Sequence, residues 1–175
     1  MNHEPALNEI TLAQECLRHL GEDKSVLHRA AHVLQIVAHS SVGLGEVLQD
    51  YAHQAWGQLH DVIRAARNAA SGQHTGEDID ILQNTHMAMK SVKTVLEMTP
   101  AAMLRNKADS IGDKEKLSRS QISEVTFAFM HSPDVERLLA SEDSGRMLVG
   151  LLNQNESPLV SPEHANIFLA PTARH

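Results

Sequence analysis

From Leu44 to Ala66, the residues Leu44, Leu48, Tyr51, Ala55, Leu59, Val62 and Ala66 follow one another in steps of three and four. At about 100° per residue such a stripe stays on one side of an α-helix, whereas a strand would scatter it over both faces. The spacing predicts a helix from about Leu44 to Ala70, bounded by the break at Ser40–Gly43 and by Ser71–Gly72. Its step is close to that of a coiled coil and serves a monomer core or a homodimer seam equally well.

The rest of the chain carries the same period. A first helix is predicted from about Pro5 to Leu20, stopping at Gly21. A second runs from after Asp23 to about His39, with Val26, Leu27, Ala30, Val33, Leu34 and Val37 on one side. Thr75 is a candidate cap for a fourth helix, and Glu77, Asp78 and Asp80 suit its positive N-terminal end. The stripe of that helix is Leu82, Thr85, Met89, Val92 and Leu96. Four amphipathic helices with short joins predict an all-α fold with an antiparallel four-helix bundle over about residues 5–98. The N-terminal domain is then 1–98.

A smaller helical region is predicted over 99–153, packed on the bundle, followed by an extended tail over 154–175. Thr99-Pro100 suits a helix restart, because proline fits the first helical position. Residues 108–118 read as a linker. Ser118 and Gln121 form a capping-box pattern for a helix to about Met130. Ser132-Pro133-Asp134 starts another, and Ser141 caps one containing Met147, Leu148, Leu151 and Leu152. No segment shows strand alternation.

Aromatics are 3% of the chain, so the core must be built from Leu, Val, Ile, Ala and Met. That palette favours helix packing over sheets, and it lacks the rings that single-stranded nucleic-acid platforms stack on bases. The single cysteine, Cys16, rules out an internal disulfide and a Cys-rich zinc site, and points to a reducing, cytoplasmic setting. No secretory signal and no membrane-length apolar run is visible, although export without a leader leaves no mark in such patterns. The net charge of −7 divides into −6 over 1–89, +3 over 90–119 and −4 over 120–175. An acidic body speaks against nucleic-acid binding. The basic stretch that opens with Lys90 and Lys93 reads as a solvated connector or as a docking patch for an acidic partner.

Histidine is abundant, at 12 residues. His28, His32 and His39 fall within roughly 40° of one another on the second helix, opposite its apolar side, with Gln35 among them. His53 and His60 lie on the third, with Asp61 beside the latter. His28 and His32 are one turn apart, a spacing that can chelate a metal. His53 and His60 are ~10 Å apart along the axis and cannot alone share an ion. The same residues also suit a solvated polar face.

Two families are resembled in part. His28 or His32 followed by His60-Asp61 resembles the opening of HD-type phosphohydrolases. That resemblance implies a metal-dependent phosphohydrolase using His28, His32, His60 and Asp61, but the Gly-Lys that usually follows the pair is replaced by Val62-Ile63. The stretch from His28 to Leu48 resembles the phospho-accepting helix of histidine phosphotransfer domains. It implies His32 as the phosphorylated residue. Gln35 and Ile36 stand where that family has a Lys and a Gly, and the Leu44-Gly45 pair falls later than usual.

A calcium loop in Asp109–Glu124 is not expected. Its register puts Lys114 and Gln121 where acidic ligands belong and Glu115 where glycine is required. Phosphate-cradling loops, nucleophile elbows and paired cysteines are absent from the sequence. Cys16, between Leu12, Leu17 and Leu20, reads as a core filler. Met87, Met89 and Met98 suit an adaptable surface, but Met89 fits the core stripe, so core use is the favoured reading. Trp56, at the edge of the third stripe, is a candidate anchor for a partner, with partial burial in the bundle the favoured alternative. The sequence therefore favours a non-enzymatic helical interaction protein without a cofactor. Its candidate contact residues are Trp56, Lys90 and Lys93, and its partner is another protein rather than nucleic acid or membrane.

Overall fold

The computed structural model describes residues 15–22, 26–40, 43–112, 114 and 116–140. They are mostly helical, as the stripes require. Residues 15–22 form α1. It is followed by α2 (Leu27–Ala38), α3 (Glu46–Ser71), α4 (Gly76–Gln83), α5 (Thr85–Arg105), α6 (Arg119–Met130) and α7 (Pro133–Ala140). Two short strands, β1 (Ser110–Ile111) and β2 (Leu117–Ser118), pair antiparallel between α5 and α6. The predicted helix after Ser141 and the tail over 154–175 lie outside the described residues, as does the start of the first helix.

The α3 stripe sits one position away from its predicted course at a single point. Leu48, Ala52, Ala55, Leu59, Val62, Ala66 and Ala69 are buried, but Tyr51 is 49% exposed. Ala52, not Tyr51, lies on the centre line of the core. A small residue there lets the neighbouring helices close in.

Three boundaries differ from expectation. Residues 15–22 remain helical through Gly21. The glycine is needed for close packing, since a Cβ there would meet the Arg67 backbone N and Cα of α3 at 3.0 Å. The Arg67 guanidinium then donates two hydrogen bonds, of 3.0 and 3.3 Å, to the Gly21 carbonyl. The predicted fourth helix is broken at Asn84, whose side chain donates to the Asp80 carbonyl. No helix restarts at Thr99. Instead α5 runs through Pro100 to Arg105. Proline removes the amide that would bond to the Leu96 carbonyl. Thr99 keeps its own place by donating its hydroxyl to the Val95 carbonyl at 2.7 Å.

The caps follow the sequence closely. Thr75 and Asp78 form a capping box at α4, and Ser118 and Gln121 form one at α6. Ser132-Pro133-Asp134 opens α7 as expected. The linker holds the small hairpin that alternation could not reveal. Only two residues pair on each side, with Ile111 buried against the helices.

One apolar cluster extends from Cys16 to Leu138. It includes Leu59 of α3, Met89 and Leu96 of α5, Phe129 of α6 and Leu138 of α7. α3 packs against α2, α4 and α5, while α5 packs against α6 and α7. His86 on α5 places its Nδ1 2.8 Å from the Leu138 carbonyl, to which it donates a hydrogen bond. No described helix is long and apolar enough to cross a membrane.

Candidate functional site

The core stripe of α3 leaves two flanks. On one flank His53, Trp56 and His60 stand in a row, with ring centroids 6.2 and 5.9 Å apart. His39, at the end of α2, extends the row edge-on to His53 at 6.0 Å. Trp56 is half-buried and packs against the core, so much of its surface serves the fold. His39 directs its Nδ1 to the Gln35 carbonyl at 2.9 Å.

The predicted metal and phosphate residues occupy separate settings. His28 is exposed and His32 half-buried on α2. His60 lies beside Trp56, and Asp61 pairs with Arg64 at 3.3 Å. Among the described residues, no three His, Cys, Asp or Glu side chains converge as a metal would need. Ser118 and Gln121 of the rejected calcium loop are engaged in capping.

The other flank of α3 faces α5 across two adjoining clefts. The first, of about 260 Å³, is lined by Gln58, Asp61 and Val62 of α3, by Glu77, Asp80 and Ile81 of α4, and by Asn84, Met87 and Ala88. It lies where α4 breaks from α5. The second, of about 310 Å³, lies between Tyr51 and Gln54 of α3 and Met87, Lys90, Ser91, Thr94 and Val95 of α5. Met87 lines both, so the two clefts adjoin at its side chain along the α3–α5 groove.

This groove has a defined chemistry. Its floor is apolar, formed by Val62, Ala88 and Val95, and its rim carries exposed apolar side chains. Met87 is 58% exposed and Tyr51 49%. Val47 and Met98 fall on the same helix faces and are also exposed. The cleft toward α4 is acidic through Asp61, Glu77 and Asp80, and the adjoining cleft carries Lys90. Lys93, by contrast, reaches Glu97 on its own helix at 3.9 Å.

Of the predicted contact residues, Lys90 therefore lies in the groove, while Trp56 is on the opposite flank of α3. Tyr51 and Met87 were missed as surface residues. The signal was available in the second stripe of α5, where Met87, Ser91, Thr94 and Met98 recur in steps of four and three beside the core stripe.

A third, polar cleft of about 550 Å³ lies between α1 and α7, lined by Glu15, His19, Glu22, Ser132, Pro133, Asp134 and Arg137. His19 pairs with Asp134 at 3.2 Å, tying the two helices together. Beneath it Cys16 is buried, and its thiol is pushed up to about 12 by burial first and by the Asp134 charge second. A thiol held in that form is no nucleophile at neutral pH.

No known family model, curated protein or solved structure matches the chain.

Proposed function

We propose that this chain is a non-enzymatic helical interaction module whose α3–α5 groove docks another polypeptide. The observation that carries this reading is the run of exposed Tyr51 and Met87 along an apolar floor with charged ends. Solvent-exposed apolar side chains gathered along a groove, rather than scattered singly, are the usual mark of a docking face.

An antiparallel arrangement of four helices belongs to the same reading. Tyr51 shares a cleft with Thr94 and Val95, while Gln58 and Asp61 share one with Met87 and Ala88. Rising numbers on α3 thus meet falling numbers on α5, which supports opposite senses for the two helices. The phosphotransfer and metal-hydrolase readings gain no comparable support. His32 is half-buried on α2, and Asp61 is engaged by Arg64.

A photo-crosslinking side chain at position 87 tests the docking face, with one at exposed Glu124 of α6 as control. Position 87 should yield a discrete polypeptide adduct, from a second copy or a different chain, that position 124 does not yield. Equal labelling at both positions, or no adduct at 87, would remove the reading.

A further inference from the structure

We infer that the occupant of the α3–α5 groove is a second copy of this chain, placed by a twofold axis through Met87. The inference rests on the docking reading above and commits it to one partner.

The argument starts from the charges. The first cleft has three carboxylates, Asp61, Glu77 and Asp80, and no Lys or Arg in its lining. The second has Lys90 and no carboxylate. Arg64 already takes up part of the Asp61 charge at 3.3 Å. Glu77, Asp80 and Lys90 make no ion pair with another described residue. Opposite signs therefore stand on opposite sides of Met87.

A symmetric dimer needs a patch that complements itself. Rotation by a half turn about Met87 lays the second cleft of each copy on the first cleft of the other. Lys90 of each copy then meets Glu77 and Asp80 of its partner. Tyr51, which shares the second cleft with Lys90, comes over the partner's first cleft and its apolar floor. The two Met87 side chains meet at the axis, where an unbranched thioether adapts to its twin. Tyrosine and methionine at the centre, with charges toward the ends, is the usual composition of a protein interface.

A different partner helix would also find an apolar floor here. It would not explain why Tyr51 and Lys90 stand on one side of Met87 while the cleft and carboxylates that suit them stand on the other.

The test is sedimentation equilibrium of the full chain over a concentration series, with thermal unfolding as a check on the fold. The wild type should populate a dimer. Met87→Glu and Lys90→Glu should each raise the dissociation constant roughly tenfold or more, since each brings like charges together. Both positions are exposed, so the melting temperature of the monomer should hold. Lys90→Glu combined with Asp80→Lys should recover part of the affinity lost in Lys90→Glu alone, which a merely structural role for either residue would not do. A chain that stays monomeric throughout, or a dimer indifferent to these variants, overturns the inference. A monomer that crosslinks a different polypeptide from position 87 overturns the dimer while leaving the docking function standing.

Discussion

Cys16 is a residue whose environment decides its chemistry. Burial holds its thiol protonated to about 12, against an ordinary value of 9.0. The unfolded chain releases that proton near pH 9 and the folded chain does not. The folded state thus binds more protons between the two values, and its stability is fully present below about 9 and lost as pH rises toward 12. Cys16→Ala should flatten the alkaline limb of a stability-against-pH curve measured by urea unfolding, while lowering its plateau through lost packing. An unchanged alkaline slope would show that the thiol is open to solvent. Gly21 makes a second residue-scale case. Alanine there gains up to about 1 kcal/mol of helix propensity. Its Cβ would press on the Arg67 backbone at 3.0 Å, and overpacking against backbone costs roughly 1–3 kcal/mol. Gly21→Ala should therefore lower the urea midpoint, and a rise would mean that α1 can move away from α3. Sequence reasoning assigned both residues by type, and it was right for Cys16 because Leu17 and Leu20 flank it. It read Gly21 as a helix stop because a glycine used for close approach looks identical until the facing helix is known.

At the scale of elements, the parts legible in sequence were those specified by neighbours along the chain. The Ser118–Gln121 capping box and the Thr75 cap formed because each needs only a three-residue spacing, while Asp78, expected only to suit the helix dipole, also closes a box with Thr75. The buried sides of α2 and α5 were legible for the same reason, since periodicity is local. What could not be read was settled by contacts distant in sequence. Whether α5 ends or continues at Pro100 depends on α6 and α7 packing along it, and propensity alone favoured a stop. The groove was half legible. Lys90 stood out by charge, while Tyr51 was absorbed into a stripe that in fact runs through Ala52. The α4 cap offers a sharp test. Asp78 is 3% exposed and its Oδ2 accepts from the Thr75 amide and from the Asn68 side chain, both at 3.0 Å. Asp78→Ala strands both donors and should cost about 2–3 kcal/mol, against about 1 kcal/mol for Thr75→Ala, which removes one cap acceptor. Chemical denaturation of the two variants checks the order. Equal losses would show that the link from α3 to α4 through Asn68 contributes nothing.

At the scale of the whole molecule, the question is whether residues before and after position 98 melt separately. Sequence patterning placed a boundary there, at Thr99-Pro100. The described structure passes a continuous helix through it, and α5 contributes Met89 and Leu96 to the same apolar cluster that holds Leu59 and Phe129. A helix shared by two halves of a core couples them, because neither half can lose α5 without exposing the apolar surface of the other. Leu59 and Phe129 are both fully buried and lie on elements far apart in sequence. Leu59→Ala should cost about 2–5 kcal/mol and Phe129→Ala about 3–5 kcal/mol. The sharper expectation concerns shape rather than size. Each variant should move one unfolding transition, seen alike by circular dichroism and by the fluorescence of Trp56 on α3, which is remote from Phe129 in sequence. If Phe129→Ala instead split the transition and left the Trp56 signal at its wild-type midpoint, α6 and α7 would be a separately folding unit. Pro100, where α5 lacks one backbone hydrogen bond, would then mark the seam along which the molecule divides.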